Sequence, residues 1–90
     1  MFVNNTAGVK LVNPAFPGIE GRNLSALRDA NGTLFIRDDI RLATREGSGW
    51  IRYRWPRPSD PLKAVPKLTY VREVRTPQGE ILVVGSGLYE

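Results

Sequence analysis

The stretch GWIRYRWPRP, residues 49–58, constrains the fold more than any other part of the sequence. It alternates large apolar residues with arginines and then runs into prolines. Because successive side chains of a β-strand point to opposite faces, this alternation predicts a strand. Most of the rings are thereby separated from the positive charge: Ile51, Tyr53 and Trp55 share one face, and Trp50, Arg52 and Arg54 share the other.

Further strand patterns lie on both sides of this stretch. Turn-forming residues at 4–8 separate two apolar runs, which predicts a hairpin. Four prolines between residues 56 and 66 predict a stiff connection instead of a strand. The run ILVVGSGLY is apolar enough to predict a strand buried on both faces. The predicted strands are residues 1–3, 9–12, 49–55, 67–75 and 81–89.

One helix is predicted from Thr33 to Arg45. Ile36, Ile40 and Ala43 fall on one helical face, and Thr33 follows Asn-Gly as an expected N-cap. Residues 15–32 mix proline and glycine and predict a loop that covers one edge of the core. Strands and a helix segregated in this way predict an α+β fold: a PAS-like, five-stranded antiparallel sheet with one main helix and a covering loop on one face.

Composition limits the chemistry that this chain can perform. Its 90 residues suffice for one domain, and they include no cysteine and no histidine. Disulfides and thiolate nucleophiles are excluded, and the commonest general base and metal ligand is missing. We therefore expect no enzyme activity, no catalytic residues, no metal and no cofactor. The net charge of +4 favours an anionic partner.

Four ordered motifs carry a resemblance to a known family. They are GRNLSALRDANG at residues 21–32, Gly-Trp-x-x-Tyr-x-Trp-Pro at 49–56, Pro-Lys-Leu-x-Tyr at 66–70 and Gly-x-Gly-x-Tyr at 85–89. From about Phe2 to Glu90 the sequence resembles the single Cache domain, the PAS-like extracytoplasmic sensor module of bacterial chemoreceptors and sensor kinases.

The resemblance implies a ligand pocket between the sheet and its helical cover. The implied ligand is a small organic acid, amino acid or related metabolite, bound reversibly and relayed to a membrane-spanning partner in signal transduction and chemotaxis. The implied location is periplasmic or extracytoplasmic. Carried over onto this sequence, the resemblance gives five expected ligand-binding residues: Tyr53, Trp55, Lys67, Tyr70 and Phe35.

The sequence also departs from the family. Family members usually begin with a long N-terminal helix that packs across the sheet, whereas here the chain starts at the first strand. Residues 1–90 are therefore expected to form a single sensor domain without that helix. A sheet face left uncovered favours self-association, which predicts a homodimer.

Elementary chemistry supports a pocket but leaves an alternative open. A small carboxylate needs a fixed cation in an otherwise apolar cavity, and Lys67 with Tyr53 and Trp55 supplies this set. Alternatively, the two rings are plain core residues and Lys67 points to water. Lys67 and Tyr70 are three residues apart, so either a bulge near Thr69 turns both to one face or only Lys67 lines the pocket.

A second function class is a single-stranded nucleic-acid-binding module that uses the basic aromatic strand of residues 50–55. Such a module needs exposed rings on the same surface as the cations, because bases stack while phosphates are neutralised. The alternation separates most rings from the arginines, so this class ranks second and no nucleic-acid partner is expected. The spacing Pro58-x-x-Pro61 also fits a ligand of SH3-type grooves, although a rigid loop explains it more simply.

Overall fold

The computed structural model describes residues 1–29 and 31–90, which form a five-stranded antiparallel sheet with one α-helix on one face. The strand order is β2-β1-β5-β4-β3, so β3 and β2 form the two edges. The predicted α+β, PAS-like architecture is confirmed. The elements are β1 (Phe2–Asn5), β2 (Lys10–Val12), a 3₁₀ turn (Pro17–Ile19), α1 (Phe35–Glu46), β3 (Ser48–Arg57), β4 (Asp60–Arg75) and β5 (Ile81–Tyr89).

The core lies between α1 and the sheet. Ile36 and Ala43 are fully buried on the inner side of the helix, as the predicted apolar stripe requires. Ala43 packs in one cluster with Phe2 and with Val71 and Val83 of the two central strands. Each large apolar side chain buried in this way contributes about 1.5–3 kcal/mol of hydrophobic stabilisation.

The predicted N-cap of the helix is wrong. The helix begins at Phe35, with Leu34 in the N-cap position and no capping side chain. Thr33 is instead part of a turn closed by Asp29: the Thr33 amide donates to Asp29 Oδ1, and the Asp29 amide donates to the Thr33 carbonyl, both at 2.9 Å. Asp29 Oδ2 also accepts from the Arg54 amide at 3.2 Å, which ties this turn to β3.

The predicted connection over residues 56–66 is also largely wrong. β3 and β4 form one long hairpin. Pairing continues beyond Trp55 to Pro56 opposite Ala64 and, after a shift in register, to Arg57 opposite Asp60. Proline is tolerated in β3 because β3 is an edge strand. It is tolerated in the first part of β4 because β5 ends opposite Lys67, so the residues of β4 before Lys67 have no ladder partner on the β5 side. The Pro66 carbonyl still accepts a hydrogen bond from the Glu90 amide at 3.1 Å.

Candidate functional site

A cavity of about 260 Å³ lies on the helix-covered face of the sheet. All five strands contribute lining residues, α1 contributes Phe35, and the segment after β2 contributes residues 13–15. A space of this size suits a small metabolite and is below the usual range for drug-sized ligands. The side chains that matter most for its chemistry are Phe2, Lys10, Phe35, Tyr53, Trp55 and Lys67.

Four of the five expected ligand-binding residues line this cavity: Tyr53, Trp55, Lys67 and Phe35. The fifth, Tyr70, does not. The β3–β4 register runs without a break from Ser48 opposite Arg72 to Pro56 opposite Ala64, so there is no bulge at Thr69. Tyr70 pairs with Trp50 on the opposite face, where their ring centroids are 5.1 Å apart. The expectation that Tyr70 lines the pocket is therefore wrong.

Three aromatic rings form one wall of the cavity. Phe35 stacks on Tyr53 with centroids 4.8 Å apart and meets Trp55 edge to face at 5.2 Å. Phe16, in the segment after β2, makes a T-shaped contact with Trp55 at 6.1 Å. Aromatic pairs of this kind contribute roughly 0.5–1.5 kcal/mol beyond their buried area, so they hold the wall in one arrangement.

Two lysines bring positive charge to the cavity, and the sequence predicted only one of them. Lys67 Nζ lies 5.4 Å from the centroid of Tyr89 and 5.8 Å from that of Phe2. Lys10 Nζ lies 4.0 Å from the Phe2 centroid, and the residue is only 2% exposed. Its burial lowers the pKa of Lys10 to about 8, although the charge of Asp39 opposes this shift. Burial likewise lowers the pKa of Lys67.

Asp39 is a fully buried acid near these lysines. It projects from the buried side of α1, and burial raises its pKa to about 7 despite the opposing charges of Lys10 and Lys67. Within residues 1–29 and 31–90, neither carboxylate oxygen of Asp39 has a hydrogen-bond partner. The same holds there for the Thr69 hydroxyl and the side-chain amide of Asn4. The sequence carried an unused signal for this burial: Asp39 lies three residues after Ile36 and four before Ala43, on the helical face that the apolar stripe defines.

Two glycines of β5 provide the space that the cavity side chains occupy. A Cβ atom at Gly87 would overlap Cε of Lys67 and would lie 2.9 Å from Thr69 Oγ1. A Cβ atom at Gly85 would overlap the ring of Phe2. The Gly-x-Gly motif of residues 85–87 is therefore explained by the close approach of side chains from the neighbouring strands.

On the opposite face of the sheet, the arginines of β3 bond within the chain. Trp50 is 58% exposed and contacts Tyr70, but Arg52 forms an ion pair with Glu90 in which Nε and Oε1 are 2.7 Å apart. Arg54 donates to the Ala64 carbonyl at 3.1 Å. The arginines of the basic aromatic strand thus bond within the chain, and Tyr53 and Trp55 line the cavity on the other side.

A sheet and a helix that enclose an aromatic cavity with two lysines define a small-molecule-binding domain. A family model described as the Cache domain matches residues 1–90, and the chain belongs to this family. Among the described residues, no helix is both long and apolar enough to cross a membrane.

Known proteins similar to this chain are chemotaxis proteins and their sensor domains. The chain is 33% identical over 90 residues to methyl-accepting chemotaxis protein McpP of Pseudomonas putida, covering 98% of this chain and 15% of that protein. A solved periplasmic sensor domain of a chemotaxis protein matches with a TM-score of 0.85 and 35% identity, covering 98% of this chain and 58% of the other.

Two further solved structures share the fold at appreciable identity. One, described as the structural basis for carboxylic acid recognition by a Cache chemosensory domain, has a TM-score of 0.84 and 33% identity. The other is a methyl-accepting chemotaxis protein from Vibrio parahaemolyticus, with a TM-score of 0.81 and 27% identity. The match covers 98% of this chain in both cases, and 57% and 56% of the other chains. The chain thus spans little more than half of these sensor structures.

Proposed function

We propose that this chain is part of the sensor region of an extracytoplasmic chemotaxis receptor and reversibly binds a small organic acid as its anion. The observation that carries this proposal is the pair of lysines, Lys10 and Lys67, at one small cavity walled by aromatic rings. One of the similar solved structures is described as a Cache domain that recognises carboxylic acids, which supports the same ligand class.

The physical basis is the strength of charged hydrogen bonds in a partly buried site. A carboxylate that enters the cavity exchanges water for ammonium donors, and hydrogen bonds to charged groups contribute about 1.5–3 kcal/mol each. The low polarity of the Phe35, Tyr53 and Trp55 wall strengthens this attraction and accommodates the hydrocarbon part of the acid. In this proposal the ligand is bound and released unchanged.

In this proposal, ligand binding can act as a signal because the cavity is lined by residues from several strands and from the helix. A ligand held by Lys67 of β4 and Lys10 of β2 contacts strands on either side of the central strand β5, and Phe35 connects it to α1. Its occupancy therefore changes the relative stability of different packings of these elements. In this proposal a membrane-spanning signalling partner receives that change.

Thermal unfolding with a panel of small acids tests the ligand class. Acetate, propionate and butyrate are compared with propionamide, which has a similar shape and no charge. A ligand at about 100 times its Kd adds about 2.7 kcal/mol, which raises the Tm of a domain of this size by roughly 10–20 °C. We expect at least one acid to raise the Tm and propionamide to have no effect. Folded protein whose Tm responds to none of the acids would contradict the proposal.

Single-stranded oligonucleotides at two salt concentrations test the alternative. Binding through phosphates weakens steeply as salt rises, because neutralised phosphates release counterions. We expect no tight binding at either concentration. Tight, strongly salt-dependent binding would favour the nucleic-acid function.

A further inference from the structure

We propose that Asp39 is the buried counter-ion of Lys10 and Lys67. When a carboxylate ligand binds, it replaces Asp39 as the counter-ion of the lysines, and Asp39 takes up a proton. This inference rests on the proposed function, because it requires that the cavity binds an acid. It assigns a role to a helix residue that lies outside the cavity lining and acts on the ligand only through the lysines.

Two structural features of Asp39 support this role: its side chain is buried, and its carboxylate has no hydrogen-bond partner in the described part of the chain. Asp39 has no exposed surface, and within the described residues neither of its carboxylate oxygens accepts a hydrogen bond. A buried carboxylate without hydrogen bonds is costly, so nearby positive charge must stabilise the ionised form. Lys10 and Lys67 supply that charge from β2 and β4.

The groups around Asp39 leave the lysines as its main electrostatic partners. From β3 the Tyr53 hydroxyl favours the carboxylate, but this is the weakest of the effects on Asp39, and the geometry is not that of a regular hydrogen bond. From α1 itself the neighbouring Asp38 opposes the ionised form. The pKa of Tyr53 is raised far above its usual value by burial and then by the charge of Asp39, so its hydroxyl keeps its proton. Tyr89 of β5 acts on Tyr53, and buried Asn4 of β1 carries no charge.

Counting charges predicts how a ligand and a proton are coupled. With Asp39 ionised, the two lysines and the aspartate sum to one positive charge, which a single carboxylate neutralises. The added negative charge favours protonation of Asp39, and the proton comes from solvent. Because the pKa of Asp39 in the free protein is about 7, it is half ionised at that pH. Full protonation on binding then takes up about half a proton per ligand.

The sign of the pH dependence follows from the same groups. As pH rises through 7, Asp39 ionises and competes for the lysines, and above 8 Lys10 loses its proton. The affinity for a carboxylate therefore falls as pH rises from 6 to 9, by up to tenfold per unit for each proton taken up. Simple carboxylic acids have pKa values well below 6, so they stay largely ionised throughout this range.

Two measurements test the proposal directly. Carbon NMR of the Asp39 carboxyl group follows its titration with and without butyrate, and Asp39→Asn identifies the signal by removing it. Calorimetry in buffers of different ionisation enthalpy counts the protons taken up. We expect Asp39 to titrate near neutral pH when free and at a higher pH with butyrate, with net proton uptake at pH 7. Titration of free Asp39 near its ordinary value of about 4, or a titration that butyrate does not move, overturns the proposal.

Asp39→Asn provides a readout that a purely structural role would not change. Without the aspartate, the group that takes up the proton on binding is missing. We expect the proton uptake with butyrate at pH 7, and the decrease in affinity for butyrate from pH 6 to 7, both to become smaller in Asp39→Asn. Asp38→Asn, on the same helix, is the matched control and keeps the wild-type uptake.

The possible outcomes separate this inference from the proposed function. A structural defect in Asp39→Asn changes the affinity for butyrate without changing the proton uptake, and an unchanged uptake overturns the counter-ion role. Wild-type protein that binds butyrate without proton uptake at pH 7 also overturns this inference, while the proposed function stands. Wild-type protein that binds none of the acids in the panel overturns both.

Discussion

Tyr53 and Lys67 lie directly opposite each other in the β3–β4 ladder, so their side chains project from the same face of the sheet. Tyr53 is 5% exposed and stacks on Phe35 of the helix, which places the lysine under the same helical cover. This one register pair brings a cation and an aromatic wall to a single cavity. A shift of one residue would turn Lys67 to the other face and remove its charge from the cavity.

Loss of the Lys67 charge should greatly weaken the affinity for the ligand. Lys67→Met keeps much of the volume of the side chain and removes one ammonium group from the cavity. We expect calorimetry to show a Kd for the best carboxylate at least tenfold higher, because a hydrogen bond to a charged group contributes about 1.5–3 kcal/mol. Lys63→Met on the exposed part of the same strand is the control and should bind normally. Equal affinities in the two variants would show that Lys67 does not hold the ligand.

A side chain at residue 87 should displace Lys67. In Gly87→Ala the new methyl group overlaps Cε of Lys67, and the lysine stem has to move. We expect ligand affinity to fall at least as much as in Lys67→Met, with a stability loss of about 1–3 kcal/mol from overpacking. Leu88→Ala, on the exposed side of the same strand and outside the cavity lining, is the control. Wild-type affinity in Gly87→Ala would mean that Lys67 does not need the space beside Gly87 to hold the ligand.

The two aromatic residues on opposite faces should differ in their effect on binding. Trp55→Leu removes part of the cavity wall and its contacts with Phe35 and Phe16, so affinity should fall about tenfold or more. Tyr70→Leu changes a ring on the other face and should leave the Kd within about twofold, since surface substitutions away from a site have small effects. Isothermal calorimetry on both variants measures this. A larger loss in Tyr70→Leu would place the ligand on the opposite face.

The buried charges should give the ligand-free protein a stability minimum at slightly alkaline pH. The pKa of Asp39 is raised to about 7 in the folded state, so folding is favoured when Asp39 is protonated, and stability falls as pH rises from about 4 to 7. The pKa of Lys10 is lowered to about 8, so the cost of burying its charge is relieved as pH rises from about 8 to 10.5.

Urea unfolding at pH 5, 7.5 and 9.5 checks this profile. We expect the lowest free energy of unfolding at pH 7.5, where Asp39 and Lys10 are both largely charged. Each unit of pKa difference between the folded and unfolded states is worth about 1.4 kcal/mol. In Asp39→Asn the decrease between pH 5 and 7.5 should largely disappear, while Asp38→Asn should keep it. A wild-type free energy that rises steadily from pH 5 to 7.5 would contradict the buried charge of Asp39.

Much of the fold was predictable because it follows from local periodicity. The alternation of residues 50–55 assigned Tyr53 and Trp55 to one face, and the spacing of Ile36 and Ala43 identified the buried side of the helix. The same parity argument showed that Lys67 and Tyr70 cannot share a face of a regular strand. The structure agrees with that argument: no bulge occurs near Thr69, and Tyr70 lies on the face opposite Lys67.

The errors arose where neighbours in space override local preference. Proline disfavours a central strand, but Pro66 lies where β5 has ended and no ladder hydrogen bond to its nitrogen is needed. Thr33 has the chemistry of an N-cap, yet Asp29 binds its amide. The end of a partner strand cannot be seen in a local pattern, whereas Asp29, four residues before Thr33, is a local competitor that the N-cap pattern alone does not reveal.

By itself, the sequence determined which side chains share a face, because the periods of strand and helix are properties of the local backbone. Only the tertiary structure decided which face is covered, since that depends on where α1 packs. It thereby placed Lys10, which the sequence suggests is solvated, beside Lys67 and buried Asp39 under them. These three charges come from β2, β4 and α1, and their coupling exists only because the folded chain brings distant residues together in a region of low polarity.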